Sequence, residues 1–331
     1  MSTAIVEAPL LEARGLSKFF DGGRSGLLGQ TRRRVIAVDG VWLQVYPGET
    51  LGLVGESGCG KSTLGRCLVR LQEPSEGELW FEGNKISHQS MRELRPLRPR
   101  LQMVFQDPST SLNPRRRIGD LIAEPLRVHT RQSRAEITER VGELLQVVGL
   151  QPEHFHRFPH EFSGGQRQRI GIARALALNP RLVVADEPVS ALDVSIQAQI
   201  VNLFADLQEQ FGLTYVFIAH DLSVVRQVST RTAVMYLGAI AEIGPTKAVY
   251  REPAHPYTQA LISAVPVPEL DSERRKRRIL LKGDLPSPMN PPSGCRFQTR
   301  CPQAQALCRQ ERPQLKAFGD GRSVACHFPL V

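Results

Sequence analysis

The chain has 331 residues, a formal net charge of +9, and 41% hydrophobic and 23% charged residues. This composition is typical of a globular protein, and the length predicts an extra unit beside one main domain. No apolar run approaches the roughly 18 residues that a membrane-spanning helix needs, and Met1–Glu7 lacks the basic and apolar regions of a signal peptide. We therefore expect a cytoplasmic protein that reaches a membrane only through a partner.

The positive charge is compatible with nucleic acid or with an anionic membrane surface. The basic residues form separate clusters at Arg32–Arg34, Arg115–Arg117 and Arg274–Arg278. No aromatic side chains alternate with them, as they would in a surface that stacks nucleic-acid bases. A solvated face, or proximity to lipid headgroups, is favoured, and no nucleic-acid partner is expected.

The first third of the chain alternates short apolar segments with turns, a pattern typical of an α/β protein. The turns Asp39–Gly40 and Pro47–Gly48 separate three of these segments. A glycine- and arginine-rich loop is expected at Asp21–Arg34. Strands are predicted at Leu10–Phe20, Val35–Val38, Val41–Val45, Thr50–Val54, Glu76–Gly83 (as a hairpin edge) and Leu101–Phe105, and a helix at Thr63–Leu71.

The segment from Ser109 to Leu178 is mostly helical, because its apolar residues recur at helical spacing. Ser133 and Gly149 are suited to cap one of its helices. Beyond Asn179-Pro180, buried strands and helices alternate again. Helices are predicted at Ile118–Arg127, Arg134–Val148, Ser163–Leu178 and Val194–Phe211, and strands at Arg181–Asp186, Tyr215–Ala219, Ala233–Leu237 and Ala239–Ile243.

The stretch Gly55–Ser62 fits the phosphate-binding pattern G-x-x-x-x-G-K-[ST]. A strand pattern precedes it and a helix pattern follows, so backbone N–H groups and the helix start can surround a polyphosphate. Lys61 is expected to bond the β- and γ-phosphates, and the Ser62 hydroxyl to bind Mg²⁺. Nucleotide contacts are thereby assigned to Gly55, Glu56, Ser57, Gly58, Cys59, Gly60, Lys61, Ser62 and Thr63.

Two adjacent carboxylates, Asp186 and Glu187, end an apolar strand. Ligands sit at the carboxyl ends of parallel strands. A carboxylate near a phosphate loop commonly holds Mg²⁺, and a second one can polarise the water that attacks the γ-phosphate. We assign Asp186 to the metal and Glu187 to the water. Ser163–Gln166 opens a helix and is a second candidate anion site.

Several motifs follow one another in a fixed order: Gly55–Ser62, Gln106, Phe162–Gln166, Leu182–Glu187, Ser190–Asp193 and His220. This ordered set resembles the nucleotide-binding domain of ABC transporters over residues 10–260. The resemblance implies an α/β P-loop NTPase of ABC type, with a RecA-like parallel sheet core, an antiparallel β subdomain and an α-helical subdomain at about residues 108–178.

The resemblance also implies a dimer in which each ATP lies between the phosphate loop of one subunit and the signature Ser163, Gly164, Gly165, Gln166 of the other. Gln106 would sense Mg²⁺ and the attacking water, and Asp193 would organise the opposing site. His220 would contact the γ-phosphate and hold Glu187. Phe20 matches the adenine-stacking position, with Phe19 as its possible substitute. Since Glu187 and His220 are present, a hydrolysing site is expected.

Further stretches resemble the ATP-binding subunits of oligopeptide and dipeptide importers, most closely the F-type subunit of dipeptide importers. This implies ATP-driven peptide import with a paralogous ATPase, two transmembrane permeases and, indirectly, a peptide-binding protein, at the cytoplasmic face of the inner membrane. Importers of nickel or glutathione, a soluble ABC ATPase acting on nucleic acid, and a regulatory module without turnover are the alternatives. The stretches are Val104–Pro108, Ser111–Pro114, Ala185–Ser195, His255–Thr258, Leu285–Pro288 and Asn290–Pro292.

Residues 261–331 form a proline-rich C-terminal extension that contains Cys295, Cys301, Cys308 and Cys326. In a cytosolic protein such a group indicates metal before disulfides. The spacing is not the tight C-x₂-C of zinc ribbons or ferredoxins, so zinc, iron–sulfur and free thiols all stay open on spacing alone. The family resemblance favours a structural or redox-sensing [4Fe–4S] cluster, with zinc as the alternative.

Overall fold

The structure is a computed structural model that describes residues 8–25, 31–265 and 279–330. The N-terminal tail and the basic run Arg274–Arg278 lie outside these residues. Strands are β1 (Leu11–Ser25), β2 (Thr31–Val45), β3 (Thr50–Val54), β4 (Glu76–Phe81), β5 (Asn84–Lys85), β6 (Leu101–Val104), β7 (Leu182–Asp186), β8 (Thr214–Ile218), β9 (Arg231–Tyr236), β10 (Ala239–Pro245), β11 (Lys316–Gly319) and β12 (Arg322–Val324). Helices are α1 (Lys61–Leu68), α2 (Met91–Leu94), α3 (Pro108–Ser111), α4 (Ile118–His129), α5 (Arg134–Val147), α6 (Gly164–Leu176), α7 (Val194–Phe211), α8 (Leu222–Val228), α9 (Thr246–Arg251), α10 (Pro256–Ser263) and α11 (Ala306–Gln310).

The chain divides into two compact units. The first unit contains residues 1–46, 50–88 and 220–331, and the second contains 47–49 and 89–219. The predicted helical subdomain at about 108–178 falls inside the second unit. The C-terminal extension belongs to the first unit, together with the phosphate loop. In the described residues, no helix is both long and apolar enough to cross a bilayer.

An antiparallel sheet with strand order β2-β1-β4-β5 forms one side of the first unit. Alternate residues along these strands are buried, among them Leu11 and Ala13 on β1 and Leu79 and Phe81 on β4. A period of two places these side chains on one face of the sheet. Helix α1 contacts β1 and β2, so the phosphate-loop helix is held against the antiparallel subdomain.

Strands β1 and β2 run further than predicted. Asp21 pairs with Arg34, and Ser25 pairs with Thr31, so the loop predicted over Asp21–Arg34 is wrong at both ends. Residues 35–45 form part of one strand rather than two, because the pairing shifts register there instead of reversing. Gly40 with φ 61 accommodates this irregularity as a bulge residue. The two ends of the predicted loop, near Asp21 and Arg34, have no hydrophobic alternation of their own. They are strands because they pair with each other.

A second sheet in the first unit has the order β11-β12-β10-β9-β3, with β3 parallel to β9. Helix α8 packs against β3 so closely that a Cβ on Gly52 would lie 2.3 Å from Cγ1 of Val225. The C-terminal extension supplies β11 and β12, and the N–H of Ala325 donates to the carbonyl of Ala241 at 2.8 Å. The extension is therefore built into the same sheet as the strand that leads to the phosphate loop.

The second unit contains the parallel strands β8, β7 and β6, in that order. All five residues of β7 are buried, as expected for a central parallel strand. Helices α4, α5 and α6 pack against one another. Ser133 caps α5 through a capping box with Glu136, which confirms the predicted helix start.

The helical part of the second unit offers a matched test of packing. Gly119→Ala in α4 would place a methyl group 2.4 Å from Cγ of Phe155, and we expect it to destabilise the protein by about 1–3 kcal/mol. Gly142→Ala in α5 has nothing within 4 Å and should stabilise it by about 0.5–1 kcal/mol. Denaturant unfolding of both variants checks this; equal shifts of the same sign would contradict the close approach of Phe155.

Candidate functional site

The phosphate loop connects β3 to α1 and is shaped by neighbouring backbone. A Cβ on Gly60, which has φ 106, would lie 2.0 Å from the carbonyl oxygen of Ala37. A Cβ on Gly55 would lie 2.2 Å from the carbonyl oxygen of Met235. Only glycine fits at these two positions, because the neighbouring atoms are backbone and cannot move aside. The carbonyl groups of Ala37 and Met235 thereby fix the path of the loop.

Lys61 begins α1 and is 4% exposed. Its Nζ donates to the carbonyl oxygens of Gly55 at 2.9 Å and Glu56 at 3.1 Å, so the ammonium group lies across its own loop. Burial raises the pKa of the Cys59 thiol, which is 1% exposed. Cys59 therefore packs beneath the loop as a small neutral side chain, while Lys61 carries the positive charge that a polyphosphate requires.

Phe20 and His220 also belong to the first unit. Phe20 is 36% exposed, and Nζ of Lys18 lies 5.2 Å from its ring centroid, an arrangement typical of a cation–π contact. His220 is exposed, and the following Asp221 caps α8 by accepting from the N–H of Ser223 at 2.7 Å. Both predicted residues are thus accessible to a ligand.

The second unit brings Gln106 and Glu187 together. Asp186, the last residue of β7, is 1% exposed, and Glu187 follows it with φ 45. Left-handed backbone at a non-glycine residue is unusual and is found preferentially at functional positions. Nε2 of Gln106 donates to Oε2 of Glu187 at 2.9 Å. The residue after β7 is therefore oriented by the segment that follows β6, as a water-activating carboxylate needs.

Ser163 is the N-cap of α6, and a capping box joins it to Gln166. Its hydroxyl accepts from the N–H of Gln166 at 3.3 Å. A Cβ on Gly165 would lie 2.5 Å from Cγ2 of Ile196 in α7, so the starts of α6 and α7 are in close contact. Ser163 and Asp193, the residues that precede these two helices, are both exposed. Ser163 and Asp193 are therefore accessible on the second unit, whereas Gly165 of the predicted signature is buried.

Two residues near the phosphate loop were missed by sequence reasoning. The hydroxyl of Tyr257 accepts from the backbone N–H of Glu56 at 3.0 Å, and Nη1 of Arg300 donates to Oε2 of Glu56 at 2.8 Å. Tyr257 lies in the stretch His255–Thr258, which pointed to the importer resemblance without a role for the tyrosine. No spacing or pattern in the sequence connects Arg300 with Glu56.

Cys295, Cys301, Cys308 and Cys326 line one small cavity together with Phe297. All four are free thiols, and burial raises the pKa of Cys295 to about 11. In the described part of the chain, no group of three or more His, Cys, Asp or Glu side chains is arranged to hold a metal ion. The predicted iron–sulfur or zinc site is therefore not confirmed, although four thiols are the donor set that either group prefers.

Comparisons with known proteins match the chain over nearly its whole length. A family model described as ABC transporter matches residues 38–190, and one described as oligopeptide/dipeptide transporter, C-terminal region, matches residues 241–308. The oligopeptide transport ATP-binding protein AppF of Bacillus subtilis is 54% identical over 98% of this chain and 99% of its own. The di/tripeptide transport ATP-binding protein DppF of Pseudomonas aeruginosa is 51% identical over 96% of this chain and 97% of its own.

The solved dimeric structure of the ATP-binding cassette MJ0796, bound to ADP and Pi, has a TM-score of 0.64. It is 30% identical in sequence and covers 71% of this chain and 98% of that chain. This similarity shows that the two proteins share the ATP-binding cassette fold.

Gly60→Ala tests the shape of the loop. The added methyl group would meet the Ala37 carbonyl oxygen at 2.0 Å, and the strained backbone costs about 1–3 kcal/mol, so ATP affinity should fall by about tenfold or more. Gly83→Ala is the control, because φ is also positive at Gly83, at 74, but an added Cβ would meet nothing within 4 Å. Titration with a fluorescent ATP analogue compares them. Equal affinities of the two variants would contradict this account of the loop.

Proposed function

Because this chain belongs to the family of ATP-binding proteins of oligopeptide and dipeptide ABC transporters, we propose that it hydrolyses ATP to power the import of di- or oligopeptides. The membership confirms the predicted family and the ABC-type fold class. The observation that supports hydrolysis is the hydrogen bond from Gln106 to Glu187, because it restrains a carboxylate at the end of a buried strand, and a restrained carboxylate is suited to act as a general base.

The chain's own residues divide the work of hydrolysis. The backbone N–H groups of the phosphate loop and the ammonium of Lys61 bind and orient the β- and γ-phosphates. Ser62, Asp186 and Gln106 would hold Mg²⁺, which would neutralise charge on the phosphate oxygens. Glu187 accepts a proton from the attacking water, and His220 contacts the γ-phosphate. Phe20 stacks on the adenine ring, for which its partly exposed ring is suited.

Completion of each site requires a second ATPase subunit. Ser163, Gly164, Gly165 and Gln166 bind the γ-phosphate held by that subunit's phosphate loop, and Asp193 organises the opposing site. The exposure of Ser163 and Asp193, and of Val194 with 82% of its surface accessible, supports this role. We propose that the second subunit is a paralogous ATPase and that ATP binding closes the pair.

The remaining partners are two transmembrane permeases and, indirectly, a peptide-binding protein, with the chain on the cytoplasmic face of the inner membrane. The relatives AppF and DppF are named as oligopeptide and di/tripeptide transport proteins. These names favour peptide import over nickel or glutathione import, over action on nucleic acid and over a module without turnover.

Replacing Glu187 by Gln tests the hydrolysis. The amide can still accept the hydrogen bond from Gln106 but cannot take a proton from water, so ATP turnover should fall by at least about a hundredfold while ATP affinity is retained. Phosphate release is measured in the transporter assembled with its permeases, and affinity by nucleotide titration. Glu209→Gln, the same change at an exposed site in α7, is the control. Full turnover in Glu187→Gln would remove the residue from its role.

We further propose that the four-cysteine cavity holds a [4Fe–4S] cluster, with zinc as the alternative. The four thiols line the same cavity, and the N–H of Cys295 donates to the carbonyl of Cys308 at 2.8 Å, so the segments that carry two of the four cysteines are already joined. Because burial raises the pKa of three of these thiols, they are protonated at neutral pH. Binding a metal would release those protons.

Iron and sulfide analysis of anaerobically purified protein tests this assignment. The expected result is a coloured protein with iron and sulfide in equal amounts, both lost in Cys308→Ser and retained in Cys67→Ser, whose thiol is buried beneath the first sheet and outside the cavity. A colourless protein with stoichiometric zinc would replace the iron–sulfur assignment with zinc. Absence of both would leave four structural thiols.

A further inference from the structure

We propose that the C-terminal extension positions the phosphate loop for ATP binding, and that Arg300 is the positioning residue through which it acts. This inference rests on the proposed function, since it concerns the same ATP site. Arg300 is bonded to Glu56, the second residue of the loop, rather than placed against the nucleotide itself. Its effect on ATP would therefore be transmitted by the conformation of the loop.

The ion pair between Arg300 and Glu56 is well placed to restrain the loop. Nη1 of Arg300 lies 2.8 Å from Oε2 of Glu56, and the two side chains are 10% and 27% exposed. Pairs this well shielded from water are stronger than exposed ones, since solvent screens them less. The backbone N–H of Glu56 donates in addition to the hydroxyl of Tyr257. Glu56 is thus held at both its main chain and its side chain by residues of the C-terminal half of the chain.

Arg300 is itself held firmly. Its N–H donates to the carbonyl of Phe297 at 3.0 Å, and its guanidinium lies 6.0 Å from the ring centroid of Tyr236. Phe297 is 1% exposed and its ring packs 5.3 Å from Tyr236 and 5.4 Å from Tyr257, measured between centroids. The same aromatic cluster therefore supports both groups that bind Glu56, and neither can move without disturbing it.

Two other arginines attach the extension to β2 rather than to the phosphate loop itself. Arg296 and Arg312 both donate to the carboxylate of Asp39 in β2, and Arg312 does so at 2.7 Å. Asp39 is outside the stretch Gly55–Ser62. Replacing Arg312 therefore weakens the attachment of the extension and keeps the contact between Arg300 and Glu56.

A restrained Glu56 matters because the loop is rich in glycine. Neighbouring carbonyls confine Gly55 and Gly60, but a Cβ on Gly58 would meet nothing within 4 Å, so the backbone between them keeps many accessible conformations. Only the conformation in which the N–H groups converge binds a polyphosphate. Anchoring Glu56, which lies between Gly55 and Gly58, lowers the conformational entropy that the loop loses when ATP binds. Removal of the anchor should weaken ATP binding and leave the chemical step intact.

The test measures MgATP affinity of the full-length chain, with Arg300→Gln, Arg300→Lys, Glu56→Gln and the double variant Arg300→Gln/Glu56→Gln. We expect Arg300→Gln and Glu56→Gln each to weaken binding by about tenfold, the range of a charge-assisted hydrogen bond. The double variant should bind no worse than either single one, because both remove the same contact. Arg300→Lys should restore part of the affinity, since it keeps the charge.

Matched controls separate positioning from general stability. Arg309→Gln makes the same charge change at an exposed site of the extension and should bind MgATP as the unaltered chain does. Arg312→Gln should lower the melting temperature but weaken MgATP binding less than Arg300→Gln does, because it keeps the contact between Arg300 and Glu56. In the assembled transporter, Arg300→Gln should raise the KM for ATP about tenfold and leave kcat within about twofold.

Two results would overturn the proposal. One is unchanged affinity in a folded Arg300→Gln variant. The other is additive losses in the double variant, which would mean that Arg300 and Glu56 act separately. Failure of the proposed function has a different signature, because the unaltered chain assembled with its permeases would then show no ATP turnover.

Discussion

The phosphate loop depends on two backbone carbonyl groups that press against its glycines. The oxygen of Ala37 approaches Gly60 from β2, and the oxygen of Met235 approaches Gly55 from β9. Since neither group can turn away without breaking a strand, the antiparallel subdomain and the second sheet must both be in place before the loop has its shape. The binding of a nucleotide phosphate is thereby linked to the folding of the entire first unit.

The C-terminal extension takes part in this arrangement. It adds β12 beside β10, pairs two arginines with Asp39 and places Arg300 on Glu56. Arg300 and Glu56 are 244 residues apart in the sequence. These partly buried ion pairs join the extension to β2 and to the phosphate loop, which supports the proposal that the extension positions the loop.

In the second unit, local sequence patterns correctly predicted where two helices begin. Ser133 and Ser163 were predicted to begin helices, and both do so through capping boxes, because the residues that form a cap lie within four positions of each other. The two carboxylates at the end of β7, Asp186 and Glu187, were likewise predicted from neighbouring residues. The resemblance assigned Gln106 to Mg²⁺ and the attacking water, whereas its hydrogen bond to Glu187, 81 residues away, depends on the pairing of β6 with β7.

The sequence by itself determined the phosphate loop, the signature, the strand-end carboxylates and the family, because each is encoded by neighbouring residues in a recognisable spacing. The tertiary structure alone decided that β1 and β2 continue past Asp21 and Arg34, that the four cysteines share a cavity, and that Arg300 meets Glu56. These features depend on contacts between distant segments, for which an arginine or a cysteine carries no positional signal. Partner strands and packed aromatic rings select those contacts only once the chain has folded.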